Sequence, residues 1–366
     1  MRRPVAEGLP IVVKVGSSSI TAAHGGVDPE AIAHIVDEIA EVRRRGHPVV
    51  LVSSGAVAAG LPVLGLDRRP DDLPGLQAAA AVGQGRLVER YASRFAAAGF
   101  VVGQVLLTRD VLARRQQYLH ARATLERLLA LGAVPIVNEN DTVAVDELRF
   151  GDNDRLAALV SHLVGAGILV ILSDTAGLYT EDPRLVEDAE LLTAVAHTDE
   201  ILDELRRRAG AGRYGSGGVA TKVAAARMAA FSGIPTVVAS ADEAGVVAAA
   251  VAGEEIGTWV EPRPDRLPAR KLWIAFGQPA VGRLAVDDGA VRALAGGGAS
   301  LLAVGVVDVE GDFEAGDAVE VLDGRGRLVA KGLVAMDAAT VRAVAGSHST
   351  IAGGEVVHRD DLVVLV

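Results

Sequence analysis

The sequence predicts an α/β protein in two parts, a three-layer α/β/α sandwich around a mostly parallel sheet and then a small β-rich barrel. Three observations predict it. Short β-branched runs alternate with longer helical patterns from residue 11 to residue 240, the spacing expected of right-handed crossovers and a sheet covered on both faces. Half of the 366 residues are hydrophobic but only 3% are aromatic, so the core must be built from Ala, Val and Leu, which suits buried parallel strands. After about Pro262 the pattern changes. EPRPDRLPARK carries three prolines and alternating charges, and beyond it come short strands with tight turns such as LDGRGRL and EGDFEAGDAVEV.

Taken in order, IVVKV (11–15) reads as the first strand and Pro29 to Arg45 as the first helix. VVLVS (49–53) follows, then a segment rich in Gly and Ala. VVGQVLL (101–107) precedes a helix over Val111 to Leu131, and AVPIVN (133–138) leads to FGDNDR (150–155) and its helix. ILVILS (168–173) and PTVVAS (235–240) complete the strands. Ligands in such sheets bind beyond the strand C-termini. GSSS, SSGA, NEND and SDTAGLYTEDPR all fall there. The expected division is a first domain over 1–262, a linker over 263–280 and a second domain over 281–366, the last with seven Lys and Arg against thirteen Asp and Glu.

The bulk numbers exclude several classes. A length of 366 residues suits roughly two domains. A net charge of −11 argues against broad binding to a phosphate backbone. The absence of cysteine excludes disulfides, thiolate metal sites and a cysteine nucleophile, and suits a reducing cytosol. MRRPVAEGLP lacks the apolar run of a signal peptide. Leu156 to Ser173 is uncharged and of spanning length, but GAG at Gly165–Gly167 splits it into a helix and a short strand, so a soluble protein is expected.

Asp152, Asn153 and Asp154 crowd one helix N-terminus, where backbone N–H groups and the dipole favour oxyanions. Lys14 ends an apolar strand just before Gly16 and three serines, a place where a turning chain can cradle a phosphate. Ser53, Ser54 and Gly55 stand at a strand-to-helix bend suited to a carboxylate, and Asn138, Glu139, Asn140 and Asp141 form a polar cluster after a buried strand. GRYGSGGVATK offers four glycines before a helix beginning near Val219, with Lys222 as a point charge and Arg213 as a further phosphate contact. Each stretch alone also has a plain reading: a solvated N-cap, a snorkelling lysine, a serine cap, an Asx turn, a glycine-rich loop. GLYTEDPR reads as a turn, and His24, His120, His162 and His197 as structural. There is no GxxxxGK[ST] loop, no GxGxxG after the first strand and no Ser-His-Asp arrangement.

Two separated lysines, glycine-rich N–H donors and an acid between them suit phosphoryl transfer, which runs on positioning and charge neutralisation. An ammonium about 4 Å from a phosphoryl oxygen gains about 4 kcal/mol at an effective dielectric near 20. A carboxylate acceptor is already ionised at neutral pH, so no general base is needed.

KVGSSSI, LVSSGAVAAG, AAVGQGRL, LLTRDV, PIVNENDTVA, GDNDRLAALV, GLYTEDPR and GSGGVATK, in this order, closely resemble the glutamate 5-kinase branch of the amino-acid kinase family. GASLLAVGVVDVEGDFEAGDAVEV resembles the PUA domain that many bacterial members carry. The resemblance implies the amino-acid kinase fold over 1–262 and a PUA barrel over 281–366. It implies a cytoplasmic enzyme that uses ATP with Mg²⁺ to phosphorylate the γ-carboxylate of L-glutamate, the first step of proline synthesis. Lys14 and Lys222 would neutralise the transferring group and Asp154 would hold them. Ser54, Asp141 and Asn153, with Asn138 and Asp152, would bind glutamate. Ser173, Asp174 and the run Ser216, Gly217, Gly218, Val219, Ala220, Thr221, Lys222 would contact ATP, with Lys14. It further implies a homo-oligomer (dimer or tetramer), feedback inhibition by proline, and hand-over of the labile product to the reductase that forms glutamate 5-semialdehyde. Ser53 and Ser173 where Thr is common, and Ser216 and Val219 in the glycine loop, depart from the family pattern. The alternatives are a kinase of N-acetylglutamate, an RNA-binding regulator acting through the C-terminal domain, and a nicotinamide-dependent oxidoreductase.

Overall fold

The computed structural model describes residues 2–22, 25–108, 111, 114–143, 153–202, 204–205, 217–347 and 355–366. It divides into two compact units, Met1–Arg266 and Leu267–Val366.

The first unit is built on an eight-stranded sheet in the order β3-β4-β2-β1-β5-β7-β8-β6. The strands are β1 (Ile11–Val15), β2 (Val49–Ser53), β3 (Val102–Leu107), β4 (Val134–Glu139), β5 (Ile168–Ser173), β6 (Ala194–Ala196), β7 (Thr236–Ser240) and β8 (Thr258–Glu261). β1, β2 and β5 are wholly buried, which is why their sequences run as unbroken apolar stretches instead of alternating. β1 pairs in parallel with β2 and β5, setting Lys14 level with Val52 and Ile171. β8 runs antiparallel to β7 and parallel to β6. Neither β6 nor β8 is anticipated from the sequence, because segments of three and four residues carry too little periodicity to read.

Helices are α1 (Pro29–Arg44), α2 (Ala56–Gly60), α3 (Leu73–Ala97), α4 (Arg115–Ala130), α5 (Asn153–Val164), α6 (Gly217–Phe231) and α7 (Val246–Ala252). α1 starts where Asp28 Oδ1 accepts the N–H of Glu30 at 2.8 Å, with Pro29 at the first helical position. It buries Ile32, Ile35, Val36, Ile39 and Val42 in the core shared with β1 and β2. α3 begins in the same way: Asp72 Oδ1 accepts from the N–H of Gly75 at 2.8 Å. The Gly- and Ala-rich segment after β2 is therefore two helices. The uncharged run 156–173 is divided between α5 and β5, and no helix among the described residues is long and apolar enough to cross a membrane.

The second unit has a five-stranded sheet, β11-β9-β12-β13-β15, and a two-stranded one, β10-β14. Its strands are β9 (Gly282–Val286), β10 (Leu301–Leu302), β11 (Val306–Gly311), β12 (Ala318–Leu322), β13 (Leu328–Leu333), β14 (Glu355–Val357) and β15 (Leu362–Val364). They enclose a core of Leu284, Val286, Phe313, Val319, Val321 and Val357. Within 263–280, residues 263–266 fall in the first unit and 267–280 in the second. Arg263 N–H donates to Ala230 O at 2.9 Å in the first. Ala269–Leu272 is a helix of the second, where Lys271 Nζ donates to the carbonyls of Arg359 and Leu362, both at 3.1 Å.

Candidate active site

Lys14 lies in the last turn of the pleat of β1, and its Nζ stands 2.5 Å from Asp154 Oδ1 on α5. Both side chains are buried, at 6% and 2% exposure. The two form a close, buried ion pair. The other oxygen of Asp154, Oδ2, accepts from Thr221 Oγ1 at 2.7 Å. One carboxylate in the first turn of α5 therefore joins the central strand to the first turns of α6. Lys222, next to Thr221, donates from Nζ to Gly218 O at 3.2 Å. Its ammonium is held below the usual lysine range: burial is the main cause and Lys14 adds repulsion, while Asp154 and Asp174 oppose the shift. Lys14, Asp154, Thr221 and Lys222, distant in the chain, form one charged cluster.

A second group of side chains lies beyond β2 and β4. Asn153 Nδ2 faces three acceptors: Asn138 Oδ1 at 2.8 Å, Ser54 Oγ at 3.0 Å and Ser53 O at 3.2 Å. Asn138 in turn donates from Nδ2 to Gln84 Oε1 on α3 at 2.7 Å. Ser54 is placed by its N–H bond to Val15 O at 3.1 Å and by Gly55, whose φ of +97° turns the chain into α2. That backbone conformation favours glycine, and a side chain there would also press on Ile20 Cδ1 at 2.8 Å. The Ser53 hydroxyl bonds to the buried Tyr91 OH at 3.0 Å, and burial pushes that phenol well above its ordinary pKa.

Asp141 sits in the short 3₁₀ turn Asp141–Val143 after β4. Burial lifts its carboxyl to about 6, against the pull of Arg69. Ser173 ends β5, and its hydroxyl donates to Asp174 Oδ1 at 3.1 Å. Asp174 also lies 3.8 Å from Arg184 Nη1, so the GLYTEDPR turn contributes a cation near the cluster that the sequence reading left unused. Gly217, Gly218, Val219 and Ala220 form the first turn of α6, which begins two residues before the expected start near Val219. Asp152, Arg213 and Ser216 lie outside the described residues.

The sequence profile of the amino acid kinase family matches residues 10–240, and that of the PUA domain matches residues 282–351. The chain belongs to the amino acid kinase family. Along its full length this amino acid kinase is 51% identical to the glutamate 5-kinase of Streptomyces coelicolor, covering 98% of that protein. It is 47% identical to the glutamate 5-kinase of Marinomonas sp., each chain covered completely, and 48% identical to that of Thermobifida fusca, covering 95% of it. Gln84 and Tyr91 are buried polar residues bonded to Asn138 and Ser53 that residue-by-residue reading passed over. Gln84 lay inside AAVGQGRL, a stretch noted for its resemblance without any residue of it having a role.

Proposed function

We propose that this kinase transfers the γ-phosphoryl group of ATP to the γ-carboxylate of L-glutamate, giving γ-glutamyl phosphate and ADP, the first step of proline synthesis. The observation that carries the reading is Asp154, poised between Lys14 at 2.5 Å and Thr221 at 2.7 Å, with the Lys222 ammonium within the reach of its charge. Full-length identity of about half to glutamate 5-kinases supports the choice of acceptor.

In the reaction a substrate carboxylate oxygen bonds to the γ-phosphorus as the bond to the bridging oxygen breaks, and ADP leaves with that electron pair. No proton moves. Catalysis is then the neutralisation of charge on the transferring oxygens by Lys14 and Lys222, with Asp154 keeping the two cations from driving each other apart. A buried lysine with no substrate is costly to ionise. Burial lowers the Lys222 pKa in this way, and a bound polyphosphate would favour its charged form. The glycine-rich start of α6, with Gly217, Gly218, Val219, Ala220 and Thr221, and Ser216 before it, would present N–H donors to the phosphates, and Ser173 and Asp174 would flank the nucleotide. Mg²⁺ bound with the nucleotide would supply further charge neutralisation beside Lys14 and Lys222.

Ser54, Asn138 and Asn153, which are hydrogen-bonded together, would bind glutamate with Asp141 and Asp152, Asp141 facing the α-ammonium. The same reading carries cytoplasmic location, a homo-oligomer, inhibition by proline and delivery of the product to a reductase. Hydroxylamine trapping with parallel ADP release tests it on glutamate, N-acetylglutamate and aspartate. Glutamate alone is expected to give hydroxamate at a substantial rate. An equal or faster rate with N-acetylglutamate would overturn the assignment.

A further inference from the structure

The amide groups of Gln84, Asn138 and Asn153 form a chain whose polarity is set by the backbone. Asn138 Oδ1 accepts from the N–H of Glu139 at 2.9 Å, a group that can only donate. Its Nδ2 must then point to Gln84, whose Oε1 accepts at 2.7 Å. At the other end Asn153 Nδ2 faces the carbonyl of Ser53, a group that can only accept, at 3.2 Å. The same Nδ2 also donates to Asn138 Oδ1 at 2.8 Å. With both ends pinned, neither asparagine can be turned over without setting like against like.

This leaves two buried atoms without partners among the described residues, the acceptor Asn153 Oδ1 and the donor Gln84 Nε2. All three side chains are at least nine-tenths buried, where an unmet polar group carries a penalty of about 1–3 kcal/mol. An open acceptor beside Ser54 suits a ligand donor such as an ammonium. Gln84 reaches this position because α3 crosses α2 at glycines: a Cβ on Gly83 would lie 1.8 Å from Ala56 O. Asn138 is thereby fastened from the helix side as well as by the strand.

We infer that Gln84 is a positioning residue: through Asn138 it holds the Asn153 amide with Oδ1 turned to the ammonium of the amino-acid substrate. The inference rests on the glutamate kinase reading above. It makes Gln84 a determinant of the preference for an amino acid over the same dicarboxylate without its ammonium.

The test compares glutamate with glutarate, which lacks the ammonium, by hydroxylamine trapping on the full-length protein. In Gln84→Met, which keeps bulk but not the acceptor, the ratio of kcat/KM for glutamate to that for glutarate is expected to narrow about tenfold, the KM for ATP staying unchanged. Gln84→Glu keeps an oxygen for Asn138 Nδ2. Its carboxylate is attracted to the ammonium that glutarate lacks, so the charge can only favour glutamate, and the ratio is expected not to fall more than about twofold below wild type. A wild-type ratio in Gln84→Met overturns the inference, as does a Gln84→Glu ratio narrowed as far as that of Gln84→Met. If Gln84→Met does not fold, Gln84→Glu decides alone, since a narrowing of about fivefold or more there contradicts the role. Failure of the wild type to form any glutamyl hydroxamate would instead sink the kinase reading, an outcome distinct from all of these.

Discussion

Burial gives single side chains in this site their chemistry. The Lys222 ammonium is displaced downward from 10.5 chiefly by desolvation. The charged form is the useful one, so activity must fail as pH rises through that lowered pKa. The alkaline limb of kcat/KM for ATP, which reports the free enzyme, is expected below 10.5. Lys222→Ala should reduce kcat by about 100-fold or more while thermal unfolding shifts little, and near-normal turnover in a folded variant would contradict its role. Asp141 is displaced the other way, from 3.8 to about 6, again by burial. Its carboxylate exists only above that value, so kcat/KM for glutamate should fall as pH drops through about 6. Asp141→Asn should raise the KM for glutamate about tenfold or more, leave that for ATP nearly unchanged, and remove the acid limb. An acid limb that persists in Asp141→Asn would assign it to another group.

Elements carry the site by close approach and by their ends. α5 presents both Asn153 and Asp154 in its first turn, one to each group of side chains. α2 and α3 touch backbone to backbone. A Cβ added at Gly83 would fall 1.8 Å from Ala56 O, and one at Gly60 would fall 2.0 Å from Ala79 O. No rotamer can relieve a clash with a carbonyl, so the helices must separate. Gly83→Ala is expected to lose about 3 kcal/mol or more of stability in urea unfolding. Gly85, in the same helix, is exposed with open space around it. Gly85→Ala should therefore be neutral or stabilising by up to about 1 kcal/mol. Equal effects at the two glycines would show that the crossing does not set the cost.

The whole molecule separates its tasks. Every described residue of the proposed site belongs to Met1–Arg266, and the second unit has its own core. A fragment ending at Arg266 is expected to retain hydroxamate formation with a kcat within about threefold of the full chain. A folded fragment without turnover would show that the second unit completes the site. The acidic balance of residues 281–366, thirteen acids against seven bases, gives that unit no general attraction for a phosphate backbone.

Unbroken β-branched runs made β1, β2, β5 and β7 legible, because a buried parallel strand needs apolar residues at adjacent positions and that requirement is local. The same locality put glycines, hydroxyls and acids at strand ends, and the motif order pointed to the family. The strand order was not legible, since β1 lies between β2 and β5 only after crossovers have closed. Short β6 and β8 carried no period to read. Lys14, Asp154 and Lys222 were each legible by residue type and resemblance. Their meeting was implied by the resemblance alone, and the lowered pKa of Lys222 and the polarity of the Gln84–Asn138–Asn153 chain were not legible at all. Residue types are written one position at a time, whereas desolvation, ion-pair distance and amide orientation depend on which distant segments pack together, and only the tertiary structure decides that.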